Sequence, residues 1–309
     1  MSLLVLSADE VERLLTMDAC IEAMAEVLAA LVRDELYQPL RFVVKPPGAA
    51  GLMGFMPAHR GGERAAYSLK EIVVTPDNPT RGLDAHQGAV LLHDGRTGEL
   101  TALVNASPIT AIRTGAVSAV ATRALARPGA RSVAIVGTGV QGKAHEQALC
   151  AVLGEDVEVR SWSRSSGGSP EEIVREADVV CTCTNSSEPV LSLAWLKPGA
   201  HVNAVGSSVP WARELDAETM AAGSLFADKR ESTLNESGEY RTAVEEGAIG
   251  PEHILAELGE VLIGAHPGRT RDDELTIFVS LGLAVEDLAA AELVVARARE
   301  QGLGVEVDF

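Results

Sequence analysis

Apolar residues change their spacing along the chain, and each change predicts a different kind of element. Ser7 and Glu10 frame a capping box ahead of Val11, Leu14 and Leu15, and from Thr16 onward Ile21, Met24, Ala25, Leu28 and Val32 fall at helical spacing. Two N-terminal helices are expected. Between Arg41 and Leu103 the helical period gives way to short runs, Phe42-Val43-Val44, Leu69 to Val74 and Ala89 to Leu92, separated by glycine- and proline-rich turns. The sequence Asp94-Gly95-Arg96-Thr97-Gly98 between two such runs reads as a hairpin turn, so this portion is expected to be an antiparallel or mixed sheet. The stretch between Met53 and Tyr67 reads as loop.

A second texture begins near Ile112. Arg113 to Ala126 reads as a small-residue helix, Arg131 to Gly137 as an apolar strand, and the residues through Leu149 as a helix. Strand-like runs then recur at Val157 to Trp162, Asp178 to Thr184, His201 to Gly206, Ser224 to Asp228 and Thr276 to Leu281, with helical or turn segments between them. Alternation of this kind predicts a doubly wound parallel sheet. Ala284 to Ala298 is an amphipathic helix carrying Val285, Leu288, Val295 and Ala298 on one side, and it is expected to return to the first domain. The expected organisation is therefore α/β, with a second α+β domain over 1–112 completed by 283–309, and a nucleotide-type domain over 113–282.

Composition narrows the class of partner. The 309 residues allow two domains, and 46% hydrophobic with 23% charged residues is an ordinary profile for a chain with a sizeable core. The 26 basic and 44 acidic residues give a net charge of −18, which argues against nucleic acid and anionic membrane surfaces as partners. Any positive charge needed by an anionic ligand must be local. Cys20, Cys150, Cys181 and Cys183 show no metal-ligand spacing and read as buried thiols of a reducing cytosol. Asp9, Glu10 and Glu12 interrupt the first candidate leader, and no apolar run approaches the ~20 residues a bilayer span requires, so a cytoplasmic protein is expected; no His/Asp/Glu cluster has metal-ligand spacing, so no metal is expected.

The chemistry concentrates at Gly137-Thr138-Gly139-Val140-Gln141-Gly142, a G-x-G-x-x-G that sits between the strand Val133 to Val136 and a helix. In that context Gly137 permits the tight turn, Gly139 lets the backbone approach a pyrophosphate, and Gly142 lets helix and strand pack closely, with the helix N-terminus toward the phosphates. This is a Rossmann-type dinucleotide site. At the tip of the next strand, where an acid would hold a ribose diol, stand Ser163, Arg164 and Ser165 instead. A guanidinium flanked by hydroxyls suits a 2′-phosphate, so NADPH is the expected cofactor, with NADH the alternative.

Thr110 to Ala116, the turn Gly137 to Gly142, Trp195 to Gly206, Glu214-Leu215-Asp216 and Leu281 to Leu288 together resemble the ornithine cyclodeaminase/mu-crystallin family, in order and over nearly the whole chain. The resemblance implies a homodimer that binds an imino or amino acid, with the first domain supplying the substrate pocket and dimer contact. It implies that Arg41, in Gln38-Pro39-Leu40-Arg41, anchors the substrate carboxylate, that Lys70 is the active-site lysine, and that Arg113 faces both ligands. Thr114, and Thr184 at the end of its strand-like run, complete the expected cofactor contacts. Without the resemblance, Arg41 and Lys70 would each read as surface cations.

Cyclodeaminases and some amino-acid dehydrogenases of the family carry an aspartate where this chain has Ser208, in Gly206-Ser207-Ser208-Val209-Pro210. A hydroxyl suits reduction of a C=N bond whose nitrogen already holds a proton; a carboxylate would suit deamination. The expected activity is therefore imino-acid reduction of the ketimine-reductase type. Cyclodeamination, alanine-type dehydrogenation and a non-catalytic nucleotide-binding role are the alternatives. The chain departs from the family between Arg164 and Glu171, where a helix and a strand are missing. His86, His93, His201 and Asp228 read as structural, with His86 and Asp228 kept as minor candidates for substrate contact and proton handling.

Overall fold

A computed structural model describes residues 2–154 and 156–309. The chain divides into two compact units, Met1–Arg113 with Leu283–Phe309, and Thr114–Gly282.

The first unit opens with β1 (Ser2–Leu6), α1 (Ala8–Leu14) and α2 (Met17–Val32). The Ser7 side chain accepts from the Glu10 N–H while Glu10 reaches back to the Ser7 N–H, the reciprocal cap expected of that pair. The buried stripe of α2 is Cys20, Ile21, Met24, Val27, Leu28 and Leu31; Ala25 and Val32 lie at its half-buried flank. Then come β2 (Leu36–Tyr37), β3 (Phe42–Val44), β4 (Leu52–Arg60), β5 (Ala66–Val74), β6 (His86–Asp94), β7 (Leu100–Asn105) and α3 (Ala106–Leu125), within which the unit boundary falls. Asp94 closes the β6–β7 turn by accepting from the N–H groups of Arg96 and Thr97, both at 2.9 Å.

Two elements differ from the expectation. The supposed loop after Met53 is largely the strand β4, whose Gly54 and Pro57 hide a strict burial alternation of Gly54, Met56, Ala58 and Arg60. The helix α3 begins at Ala106 and not near Ile112. Asn105 accepts from the Ser107 N–H at 3.0 Å, and Pro108 sits in the first turn, where a missing N–H costs nothing.

The second unit alternates strand and helix: β8 (Ser132–Val136), α4 (Val140–Leu153), β9 (Glu158–Trp162), α5 (Glu171–Val174), β10 (Val179–Thr182), β11 (His201–Ala204), α6 (Ala217–Ala222), β12 (Ser224–Ala227), α7 (Arg230–Glu236), α8 (Gly238–Glu245), β13 (Ile254–Glu257), α9 (Leu258–Leu262) and β14 (Thr276–Val279). The sheet is parallel throughout, in the order β13-β12-β14-β11-β10-β8-β9. Ala134 and Val136 enter one core and Val133 and Ile135 another, which is why these strands are apolar without alternation. The sheet winds in opposite directions from β8, toward β9 and toward β10, so its switch point lies at the carboxyl end of β8. After Arg164 only a single 3-10 turn and the short α5 intervene, and β9 is left as the sheet edge.

The chain then returns to the first unit with α10 (Ala284–Gln301) and β15 (Val305–Asp308). That unit's sheet runs β15-β1-β7-β6-β5-β4-β2, with β3 also on β4. Among the described residues of this sheet, only β1 and β7 pair in parallel. One face of this sheet is buried beneath α10, which packs over β4, β5 and β6.

Candidate functional site

The register of the first sheet places Met56, Lys70, Val90 and Val104 in one cross-strand row. Met56, Val90 and Val104 are buried on the face toward α10, so Lys70 stands in an apolar row and is 1% exposed. The reading of Lys70 as a surface cation is wrong; the strand's period, not its charge, decides where the side chain goes. An ammonium there needs a partner, and Asp287 of α10 supplies one, with Oδ2 at 2.8 Å from Nζ. Thr110 Oγ1 accepts from Nζ at 3.4 Å.

Arg113 completes the group. Its Nε donates to Asp287 Oδ1 at 3.1 Å and its Nη1 to Glu286 Oε2 at 2.8 Å. Two buried cations are thus matched by two buried carboxylates, and Asp287 is shared between Lys70 and Arg113. The first turn of α10 is fixed in turn: Glu286 accepts from the Leu283 N–H at 3.1 Å and Gln38 accepts from the Val285 N–H at 3.0 Å. Burial pulls the Lys70 ammonium down to about 8, against the pull of Asp287, which raises it, while Arg113 lowers it further. His86 is held down to about 4, first by burial and then by the charges of Lys70 and Arg113, so it is neutral at pH 7. Arg41 is half-buried ahead of β3, and its charge is felt at Lys70.

In the second unit the glycine-rich turn leaves β8. Gly137 has φ +120 and donates its N–H to the Trp162 carbonyl at 2.8 Å; a Cβ there would lie 2.4 Å from the Cys183 carbonyl oxygen. At Gly142 a Cβ would meet the Gly137 carbonyl at 2.0 Å. At Gly139, the N-cap of α4, it would meet nothing within 4 Å, and no side chain caps that helix. Thr138, Gly139 and Val140 are exposed, Gln141 is half-buried, and Thr114 is buried on α3.

Ser163, Arg164 and Ser165 follow β9, beside this turn. Ser163 Oγ lies 2.9 Å from Ser165 Oγ, and the Arg164 guanidinium is exposed. Thr184 stands two residues beyond the end of β10 and donates its hydroxyl to Glu214 at 2.7 Å. Ser208 is half-buried in the loop after β11. The structure therefore gathers Lys70 and Arg113 in one unit, and the glycine turn with Ser163 and Thr184 in the other.

Sequence reasoning missed Glu286, Asp287, Gln38 and Glu214. Two adjacent acids in an otherwise apolar helix were the available signal, masked because acids are common in any first turn. Asp228 accepts from the N–H groups of Leu281 and Gly282 at 2.6 and 2.9 Å, in keeping with a structural role. All four thiols are free, but only Cys20 and Cys181 are buried; Cys150 and Cys183 are half-buried, correcting that expectation. Among the described residues no group of three His, Cys, Asp or Glu could hold a metal ion, and no helix is long and apolar enough to cross a membrane.

Comparison with known proteins bears on the family and the fold. The model of the ornithine cyclodeaminase/mu-crystallin family matches residues 1–169 and 165–302. The ketimine reductase mu-crystallin of Rattus norvegicus is 39% identical over 94% of this chain and 95% of its own. The structure of Thermococcus litoralis Δ1-pyrroline-2-carboxylate reductase in complex with NADH and L-proline matches with TM-score 0.92 and 33% identity, covering 98% of this chain and all of that one. An archaeal alanine dehydrogenase dimer with bound NAD matches with TM-score 0.92 and 31% identity over the whole of both chains. The chain belongs to the ornithine cyclodeaminase/mu-crystallin family.

Proposed function

We propose that this protein reduces the C=N bond of a cyclic or open-chain imino acid with a nicotinamide dinucleotide, NADPH in preference to NADH. The observation that carries this reading is the Lys70 ammonium, buried in an apolar row, paired with Asp287 and brought to about 8. At pH 7 such a group is mostly protonated, and it gives up its proton far more readily than an ordinary lysine. It can orient the substrate nitrogen and supply or take the proton that accompanies reduction. Arg113 holds the other edge of Asp287 and keeps its carboxylate aimed at Lys70. Arg41, half-buried, is the guanidinium we assign to the substrate carboxylate.

The glycine turn fits a dinucleotide on an observation of its own. Gly137 and Gly142 are required by the protein, because a side chain at either would strike backbone. Gly139 is not: the space before it is empty of protein, as a pyrophosphate lying against the backbone would need. Gly137 to Gly142 and Thr114 would hold the dinucleotide, with Thr184 contributing from the end of β10. Ser163, Arg164 and Ser165 would take the 2′-phosphate. A bound reduced nicotinamide supplies the hydride. Ser208, with a hydroxyl and no carboxylate to activate water or ammonia, favours reduction over cyclodeamination.

The same lysine, able to accept a proton as well as give one, suits the reverse reaction, oxidation of an amino acid of the alanine-dehydrogenase type, as a second reading. The uncovered face of the first sheet carries the row Pro57, Leu69, Leu91 and Leu103, partly exposed and uncharged. We assign this row to a second copy of the chain, in keeping with the dimeric archaeal relative. Four free thiols suit a reducing, cytoplasmic compartment. The decisive experiment follows NADPH consumption against a panel of cyclic ketimine acids and of 2-oxo acids with amines; no consumption with any of them overturns the assignment.

A further inference from the structure

Glu214 and Glu239 are both fully buried in the second unit, and among the described residues no lysine or arginine bonds to either. A carboxylate in that position is costly unless donors surround it. Those around Glu214 come from two different loops. Its Oε1 accepts from the Thr184 N–H at 2.6 Å and from the Thr184 hydroxyl at 2.7 Å, and its Oε2 accepts from the Gly206 N–H at 2.6 Å. Thr184 follows β10 and Gly206 follows β11, neighbouring parallel strands, so one carboxylate ties together the loops leaving their carboxyl ends. The approach is close enough that a Cβ at Gly206 would lie 1.8 Å from the Thr184 carbonyl oxygen and 2.6 Å from the Glu214 carboxyl carbon.

Glu214 is itself held by its backbone. Its carbonyl accepts from Val190 and Leu191 at 2.7 and 3.2 Å, while Glu239 Oε2 accepts from the N–H groups of Glu214 and Leu215 at 3.4 and 3.2 Å. Burial and the charge of Glu214 bring Glu239 up to about 7. The Ser207 hydroxyl lies beside the Glu239 carboxyl and works against that rise.

We propose that Glu214 is a positioning residue for cofactor binding and hydride transfer: it fixes Thr184 and the Gly206–Ser208 turn at the strand ends, where a dinucleotide lies in a sheet of this winding. Glu239 sets the backbone of Glu214 and so acts through it. The inference rests on the dinucleotide reading given above. Glu214→Gln keeps the shape but turns an NH2 toward one of the three donors, so one loop is released and an N–H is left facing an N–H.

The test compares native protein and Glu214→Gln, checked for folding by Tm, for three quantities: the NADPH dissociation constant, the KM for the imino acid, and the primary isotope effect with cofactor deuterated at C4. The expected result is a roughly ten-fold weaker NADPH complex, a raised isotope effect and an imino-acid KM within about two-fold of native. A merely structural role would lower Tm and the active fraction while the folded molecules kept native values. Native values of both the dissociation constant and the isotope effect in folded Glu214→Gln overturn the proposal. Should that variant not fold, Thr184→Val, which removes one donor and keeps the shape, is expected to shift the same quantities in the same direction, and native values there overturn it equally. A native protein that binds neither NADPH nor NADH instead takes down the underlying dinucleotide reading.

Discussion

Lys70 shows how a single side chain gains chemistry from where the strand period puts it. Its pKa of about 8 lies below the ordinary 10.5, so between those values the unfolded chain binds more protons than the folded one, and stability rises with pH across that window. Activity should run the other way. If the ammonium serves as acid, imine reduction holds below about pH 8 and falls above it; a pH–rate profile measured beside a pH series of denaturant midpoints separates the two trends. Lys70→Ala is expected to lower kcat by a factor of about 10² or more, leave NADPH binding unchanged and abolish the basic limb. Asp287 raises the Lys70 pKa, so Asp287→Asn should move that limb to lower pH. It should also cost roughly 3–5 kcal/mol of stability, because it breaks a buried ion-pair group and leaves Arg113 under-matched. A limb that stays in place would show that Asp287 does not govern the lysine. Arg164→Ala, measured as the ratio of kcat/KM for NADPH to that for NADH, is expected to lose about 1–3 kcal/mol of discrimination, the worth of a charged hydrogen bond. The cations of this site were legible because their flanking residues resemble a known pattern. The acids that neutralise Lys70 and Arg113 were not, since they lie far along the chain and only the return of α10 brings Glu286 and Asp287 under the sheet.

At the scale of elements, the turn between β8 and α4 separates what the fold needs from what a ligand needs. Gly142→Ala places a methyl 2.0 Å from the Gly137 carbonyl, and is expected to cost about 1–3 kcal/mol of stability as well as cofactor binding. Gly139 has φ −73 and open space around its missing Cβ, so Gly139→Ala should leave Tm nearly unchanged and still weaken NADPH binding. Thermal melts with and without NADPH distinguish the two. A Gly139→Ala protein that binds NADPH as native does would remove the close backbone approach from the proposal. The parallel strands were legible in the sequence because burial on both faces makes them continuous apolar runs. The strand β4 was not, because Gly54 and Pro57 carry the signature of a turn and its burial pattern is imposed by partners on both sides. The strand β1 escaped notice for a similar reason: it is a short run whose place is set by β7 and β15, distant in sequence.

For the molecule as a whole, the question is which direction of amino-acid chemistry its two units serve. The resemblance to the family implies that a cyclodeaminase and an imine reductase differ at the position of Ser208. In this chain the loop after β11 offers Ser208, while Glu214 accepts from the Gly206 N–H of that loop and Glu239 accepts from the backbone of Glu214 and Leu215. A serine hydroxyl is too weak a base to activate water or ammonia at neutral pH, and on the proposed reading this favours reduction over deamination. With ornithine or lysine and catalytic NAD, the native protein is therefore expected to release no ammonia, and with an imino acid it is expected to consume NADPH in equal amount to the amine formed. The two measurements, ammonia release and cofactor stoichiometry, are made on one preparation. Proline or pipecolate formed from the diamino acid without net cofactor turnover would place the protein with the cyclodeaminases. In that event Lys70 and Asp287 would have to supply the base that Ser208 cannot, and Asp287→Asn would suppress ammonia release together with imine reduction.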